Sequence, residues 1–171
     1  MKPPRAVTLI ELMISITVIG ILTSIVFSSL RSSRQHTWYK ESLNNTVDLL
    51  QTARMKALAS MELPAGAGTC EVSRFYIQFD SIPEAQSMDL KAEFVSSCST
   101  PVATISTTTL NPTTSIDNQN IKQIFFATPD AALSFTDPLL TKLTLTVQSQ
   151  NGAFEQDINL TKATGLVELA N

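Results

Sequence analysis

Glu11 is the one ionisable side chain between Val7 and Leu30, in a run otherwise made of apolar, small and hydroxylated residues. A carboxylate held at mid-bilayer costs roughly 2.5–3.5 kcal/mol on insertion scales, so an acid near one end of such a run calls for a partner. Removing the lead MKPPRA would put a free α-amino group on Val7 and make Glu11 the fifth residue of the remaining chain. An acid one helical turn from an amine can pair with an amine in low dielectric. The sterically better amine belongs to a neighbouring chain packed alongside, and a buried pair of that kind fixes axial register. Cys70 and Cys98 are the second chemical pair. They lack the C-x-x-C spacing of a redox or zinc site and read either as two buried thiols or as a disulfide closing segment 70–98. A bridge would stabilise by about 3 kcal/mol in the chain-entropy model. The disulfide is the favoured reading, because the N-terminus looks like an export signal.

Nothing else in the chain suggests catalysis. His36 is the only histidine, and no serine sits in a Gly-x-Ser-x-Gly elbow. The carboxylates are scattered along polar faces and turns, where solvated charge is the default. The GAG at 66–68 follows a helical stretch and reads as a helix terminator rather than a phosphate loop. No catalytic residue, metal ligand set or cofactor is expected.

The elements that must position Glu11 follow from composition and period. Only 16% of the 171 residues are charged and mean hydropathy is +0.12, so part of the chain is not built for water. Residues 1–60 carry seven Lys/Arg against three Asp/Glu, whereas residues 61–171 carry five against twelve. An acidic C-terminal body repels phosphate backbones, and nucleic acid is not an expected partner.

The basic lead with Lys2 and Arg5, followed by an apolar run long enough to cross a bilayer, admits three readings. These are a cleaved secretory signal, an ordinary signal anchor, and a processed helix whose acid is used in packing. Flanking charge does not orient the span, because Arg31 and Arg34 follow it as closely as Lys2 and Arg5 precede it. From Arg31 to Ser60 there is no Pro or Gly, and Leu43, Val47, Leu50, Ala53 and Ala57 share one helical face. One helix from Val7 to Ser60, roughly 80 Å long, is expected. Two helices broken near RSSRQHTW are the alternative. His36 and Trp38 suit either a membrane-water boundary or the head. Beyond residue 68 the period changes to two in SRFYIQF and KLTLTVQ, and Asn151-Gly152 signals a type I′ hairpin. Weaker strands are LKAEFVS, VATISTT, KQIFFA, ALSF and GLVEL, while residues 106–120 read as a long exposed loop. The expected fold is α+β, with a long N-terminal helix packed on an antiparallel sheet or sandwich head of seven or eight strands.

The stretch AVTLIELMISITVIGIL resembles the class III signal of type IV pilins and type II secretion pseudopilins, whose pattern is Gly-Phe-Thr-Leu-Ile-Glu before an apolar helix. Thr8, Leu9, Ile10 and Glu11 match in place; Ala6 stands where Gly is usual before the cut, and Val7 where Phe usually follows. The resemblance implies cleavage after Ala6 by a prepilin peptidase, N-methylation of Val7, and assembly with other pilins or pseudopilins through an inner-membrane platform. Thr8, Leu9, Ile10 and Glu11 would be the assembly residues. It divides the chain into a leader (1–6), a membrane or filament-core helix (7–30), an amphipathic continuation (31–60) and an extracytoplasmic β-rich head (69–171). The protein would be single-pass in the inner membrane, in contact with the lipid bilayer before it enters a pilus or pseudopilus. Leu50, Ala53, Arg54 and Ala57, the segment IFFATPDAALSF and the closing TGLVEL are similar to the FimT/GspH family of minor pilins and pseudopilins. Some members capture DNA with a Gly-Arg-x-Arg segment in the last strand. Here Gly165 matches, but Leu166 and Glu168 occupy the two Arg positions, so no DNA-binding residue is carried over.

Overall fold

The computed structural model describes residues 9–59, 62–65, 68–82, 84–95, 100–137, 139–162 and 165–170. These fall into two compact units, Met1–Thr37 and Trp38–Asn171. Helix α1 covers Leu9–Leu58, so RSSRQHTW is helical and makes no break. Its hydroxyls bond back into the helix rather than opening it; Thr37 Oγ1, for example, donates to the Ser33 carbonyl at 3.1 Å.

Among the described residues eleven strands follow: β1 (Glu62–Ala65), β2 (Gly68–Phe79), β3 (Glu84–Ala85), β4 (Ser87–Phe94), β5 (Val102–Thr109), β6 (Thr114–Asp117), β7 (Gln123–Ala127), β8 (Leu133–Phe135), β9 (Lys142–Ser149), β10 (Glu155–Thr161) and β11 (Leu166–Leu169). They form two antiparallel sheets. One has the order β5-β4-β2-β7-β8 with β1 added against β2, and the other the order β11-β10-β9-β6-β3. The α+β layout read from the sequence is the one observed. The strand number exceeds the expected seven or eight because β1, β3 and β6 are too short to leave a visible period.

The strongest alternations hold in the structure. Phe75, Ile77 and Phe79 of β2 are buried, as are Leu143, Leu145 and Val147 of β9. Met88, Leu90, Ala92 and Phe94 on β4, Ile124 and Phe126 on β7, and Ile158 and Leu160 on β10 complete a single apolar cluster. Burial of each large side chain stabilises by about 1.5–3 kcal/mol, which makes this cluster the main support of the head. Within the second unit α1 contributes Tyr39, Leu49, Leu50, Ala53 and Ala57 to the same cluster, with Leu43 and Val47 partly buried at its margin.

Three local expectations are corrected. Residues 106–120 are not a long exposed loop. β5 runs to Thr109 and β6 occupies Thr114–Asp117, with Leu110, Ser115, Ile116 and Asn118 buried. Threonine is polar but β-branched, and its stiffness favours the pleated strand. LPAGAG does more than stop a helix: Leu63 pairs with Cys70 and Ala65 with Gly68, so its first residues belong to β1, which adds to the sheet beside β2. Pro64 is tolerated because β1 pairs on one side only. Asn151-Gly152 does close the β9–β10 hairpin, but through the longer loop 150–154. Gly152 (φ 66°) alone is left-handed there, and its N–H donates to the Ser149 carbonyl at 2.8 Å. The consecutive left-handed pair of a type I′ turn is instead Gln119 (φ 49°) and Asn120 (φ 64°), closed by Ile121 N–H to the Asn118 carbonyl at 2.8 Å.

Candidate functional site

Glu11 lies in the first described turn of α1, which covers Leu9–Leu58. Ala6, Val7 and Thr8 lie outside the described residues. Leu9 and Ile10 are 77% and 67% exposed, and large apolar side chains continue through Leu12, Met13, Ile16, Ile19, Ile21, Leu22, Ile25 and Phe27, all more than half exposed. Apolar exposure of this extent all round a helix is incompatible with water and fits hydrocarbon or a packed bundle of helices. Helix α1 is long and apolar enough to cross a membrane.

Four hydroxyls among the described side chains of this stretch bond back into the helix. Ser15 Oγ donates to the Glu11 carbonyl at 2.8 Å, Thr17 Oγ1 to Met13 at 2.8 Å, Thr23 Oγ1 to Ile19 at 2.7 Å and Ser24 Oγ to Ile21 at 2.8 Å. A span whose polar side chains bond to its own backbone enters lipid without orphaned donors. That leaves the Glu11 carboxylate as the chemically distinctive group of the span.

The head supplies the remaining candidates. Cys70 is half-buried on β2, and Cys98, its expected partner, lies outside the described residues. His36 is exposed and Trp38 is 38% exposed, while Tyr39 is buried and stacks on Phe154 with ring centroids 5.6 Å apart. Burial, then the carboxylates of Glu155 and Asp157, push the Tyr39 phenol above its ordinary value. Arg74 bonds Glu93 at 2.7 Å and lies 4.7 Å over the Phe125 ring, so it is a structural cation of the sheet face. Lys91 is similarly engaged with Gln78 at 2.9 Å and Asp89 at 3.5 Å. Leu166 and Glu168 sit on β11, where an apolar group and an acid offer nothing to a phosphate. Among the described residues no group of three or more His, Cys, Asp or Glu is placed to hold a metal ion.

One contact was not legible beforehand. Ser42, fully buried on α1, accepts the backbone N–H of Asn111 on its Oγ at 3.2 Å. The Asn111 amide donates to the Trp38 carbonyl and to Glu41 Oε2, each at 3.2 Å. Thr46 Oγ1 donates to the Ser42 carbonyl at 2.8 Å, leaving the Ser42 hydroxyl oxygen directed at the β5–β6 connection. The available signal was the position of Ser42 and Thr46, i and i+4, on the face that continues through Leu49, Leu50, Ala53 and Ala57. Buried hydroxyls on an apolar stripe need partners; Thr46 finds one within the helix and Ser42 meets Asn111 from the other side.

A family model for the prokaryotic N-terminal methylation motif matches residues 1–27. Searches of curated proteins and of solved structures return no match. The motif covers the lead, the Ala6–Val7 junction, Glu11 and the apolar run as far as Phe27. It is the signal of a type IV pilin-like prepilin, a substrate of prepilin peptidase and a structural subunit that assembles with other pilins. With the exposed apolar helix it fits a protein anchored in the inner membrane.

Proposed function

We propose that this chain is a minor type IV pilin of the FimT/GspH kind. Its leader, residues 1–6, is removed by prepilin peptidase and Val7 is N-methylated. The helix 7–30 then holds the subunit in the inner membrane, with the β-rich head on the extracytoplasmic side. An assembly platform draws it into a filament, which it primes or caps. The observation that carries this reading is the methylation motif on residues 1–27, which runs into a helix whose apolar side chains are exposed all round.

Assembly replaces lipid around the span with neighbouring helices, and Glu11 then meets the new α-amino group of an adjacent subunit. Thr8, Leu9 and Ile10 pack around that pair. Breaking a buried pair by removing one partner costs about 3–5 kcal/mol, so register along the filament is enforced at this one position. A bridge between Cys70 and Cys98 would close the β4–β5 end of the head in an oxidising compartment. The acidic head and the Leu166/Glu168 strand argue against DNA capture by the last strand.

Intact mass and N-terminal sequencing of the protein from native membranes, with and without prepilin peptidase, test the proposal. A chain starting at Val7 with one added methyl, absent without the peptidase, is expected. A chain starting at Met1, or cut beyond residue 25, would overturn it. Recovery of the processed protein in sheared pili supports the pilus assignment; recovery only with a secretin and exported enzymes would assign it to a type II secretion pseudopilus.

A further inference from the structure

Strand β5 forms one end of the six-stranded sheet, and its sequence VATISTTT contains no charge, no proline and no glycine. Its inner flank is fixed by the ladder to β4. Just outside the strand, the Pro101 carbonyl accepts Phe94 N–H at 3.0 Å and Leu110 N–H donates to the Gln86 carbonyl at 2.8 Å. Alternation inward from those two bonds, with the register shift at Leu90/Lys91, directs the N–H and C=O groups of Val102, Thr104, Thr107 and Thr109 away from β4. All four residues are exposed, and no strand pairs with that outer row among the described residues. The other outer strands are short or blocked. β3 has two residues, β8 three, β11 contains Glu168, and β1 contains Pro64. Folded proteins normally protect a long edge with charge, proline or a cover; β5 has a register shift and, beside residues 106–109 only, α1 across a groove.

A groove of about 440 Å³ lies beside the C-terminal half of this edge, between residues 106–109 and Asn45, Asp48 and Thr52 of α1. Its walls are hydroxyls, the Asn45 amide and the Leu49 side chain, with Asp48 as the carboxylate. Asp48 is exposed and has no basic partner among the described residues, whereas the nearby Asp89 is bonded to Thr107 and Lys91, and Glu93 to Arg74.

We propose that β5 is a docking edge that takes an extended, basic peptide segment of another protein by strand addition. The outward main-chain groups supply the ladder, and alternate side chains of the added segment reach the groove at Asp48. Charge selects the occupant: residues 61–171 carry twelve acids against five bases, so a basic segment is attracted while a second copy of this head is repelled. The proposal does not depend on filament assembly.

The test uses the full chain in phosphatidylcholine nanodiscs and two labelled peptides, one alternating valine with lysine and the other valine with glutamate. The lysine peptide should bind and slow amide exchange at Val102, Thr104, Thr107 and Thr109, while the glutamate peptide should not. Thr107→Pro and Thr109→Pro each remove an outward donor and should weaken binding by about tenfold or more. Thr107→Val should bind like the parent, and Asp48→Asn should weaken binding by roughly threefold. Undiminished binding to the proline variants would show mere attraction between opposite charges and overturn the proposal. So would protection of amides elsewhere, absence of binding, or self-association abolished by Thr107→Pro. If a proline variant fails to fold, the exchange pattern of the parent protein decides alone.

Discussion

Replacing Asn111 with alanine should loosen the second half of α1 from the head by an amount that the contacts define. Its side-chain nitrogen lies 3.2 Å from the Trp38 carbonyl, 3.2 Å from Glu41 Oε2 and 3.5 Å from Ser42 Oγ. An amide has two hydrogens, so the three contacts amount to at most two bonds at once. At a net 0.5–1.5 kcal/mol for each, in a partly exposed site, the loss is about 1–2 kcal/mol. The backbone N–H of residue 111 keeps Ser42 Oγ as its acceptor, so the change removes the side-chain bonds alone. For a unit of this size about 1 kcal/mol corresponds to roughly 3–5 °C in Tm. Trp38 is the only tryptophan, and its carbonyl is one of the acceptors, so its fluorescence reports on the contact itself. Thermal unfolding followed by Trp38 emission should fall by about 3–10 °C. Ser42→Ala, which leaves the Asn111 N–H without its acceptor, should lower Tm comparably. The double variant should fall short of the sum by about 0.5 kcal/mol or more, because the two residues share one contact. A Tm within about 1 °C of the parent for Asn111→Ala, or strict additivity, would refute the view that this clamp holds the helix to the sheets.

Glu11→Ala should leave membrane insertion and peptidase cleavage intact while reducing recovery in the sheared filament fraction to background, as expected for loss of a pair worth about 3–5 kcal/mol. Normal recovery would remove the role assigned to the acid. Tyr39 gives a pH dependence at the alkaline end. Its folded pKa is raised, so its contribution is fully present below the unfolded phenol value of about 10 and is lost as pH climbs through the folded value. Denaturant unfolding of Tyr39→Phe should therefore show a shallower stability loss above pH 10 than the parent; the same slope in both would exclude Tyr39 as its source. Gly165→Ala should destabilise the head by about 1–3 kcal/mol, because φ is 58° there and an added Cβ would lie 3.0 Å from the Ala131 carbonyl oxygen. A denaturation midpoint equal to the parent's would show that the turn before β11 relaxes freely.

The N-terminal half of this protein was legible because its chemistry is local. An apolar run with one acid near its start states its environment whatever it packs against, and the absence of Pro and Gly carries the helix past residue 31. Two-residue alternation likewise exposed β9 and the Phe75–Phe79 part of β2, where the buried face repeats at Phe75, Ile77 and Phe79. The short strands β1, β3 and β6 were beyond reach, since two to four residues give no period and their pairing is set by distant partners. Polar composition misled at 106–120, where threonines that look like loop residues serve as β-branched edge and inner strands. The Ser42–Asn111 clamp joins residues that chain position alone cannot relate, and the outer flank of β5 lacks a pairing strand among the described residues because the sheet order leaves that strand last. Residue types indicated the medium for which each segment is built. Only the tertiary structure decided which backbone groups found partners and which remained open.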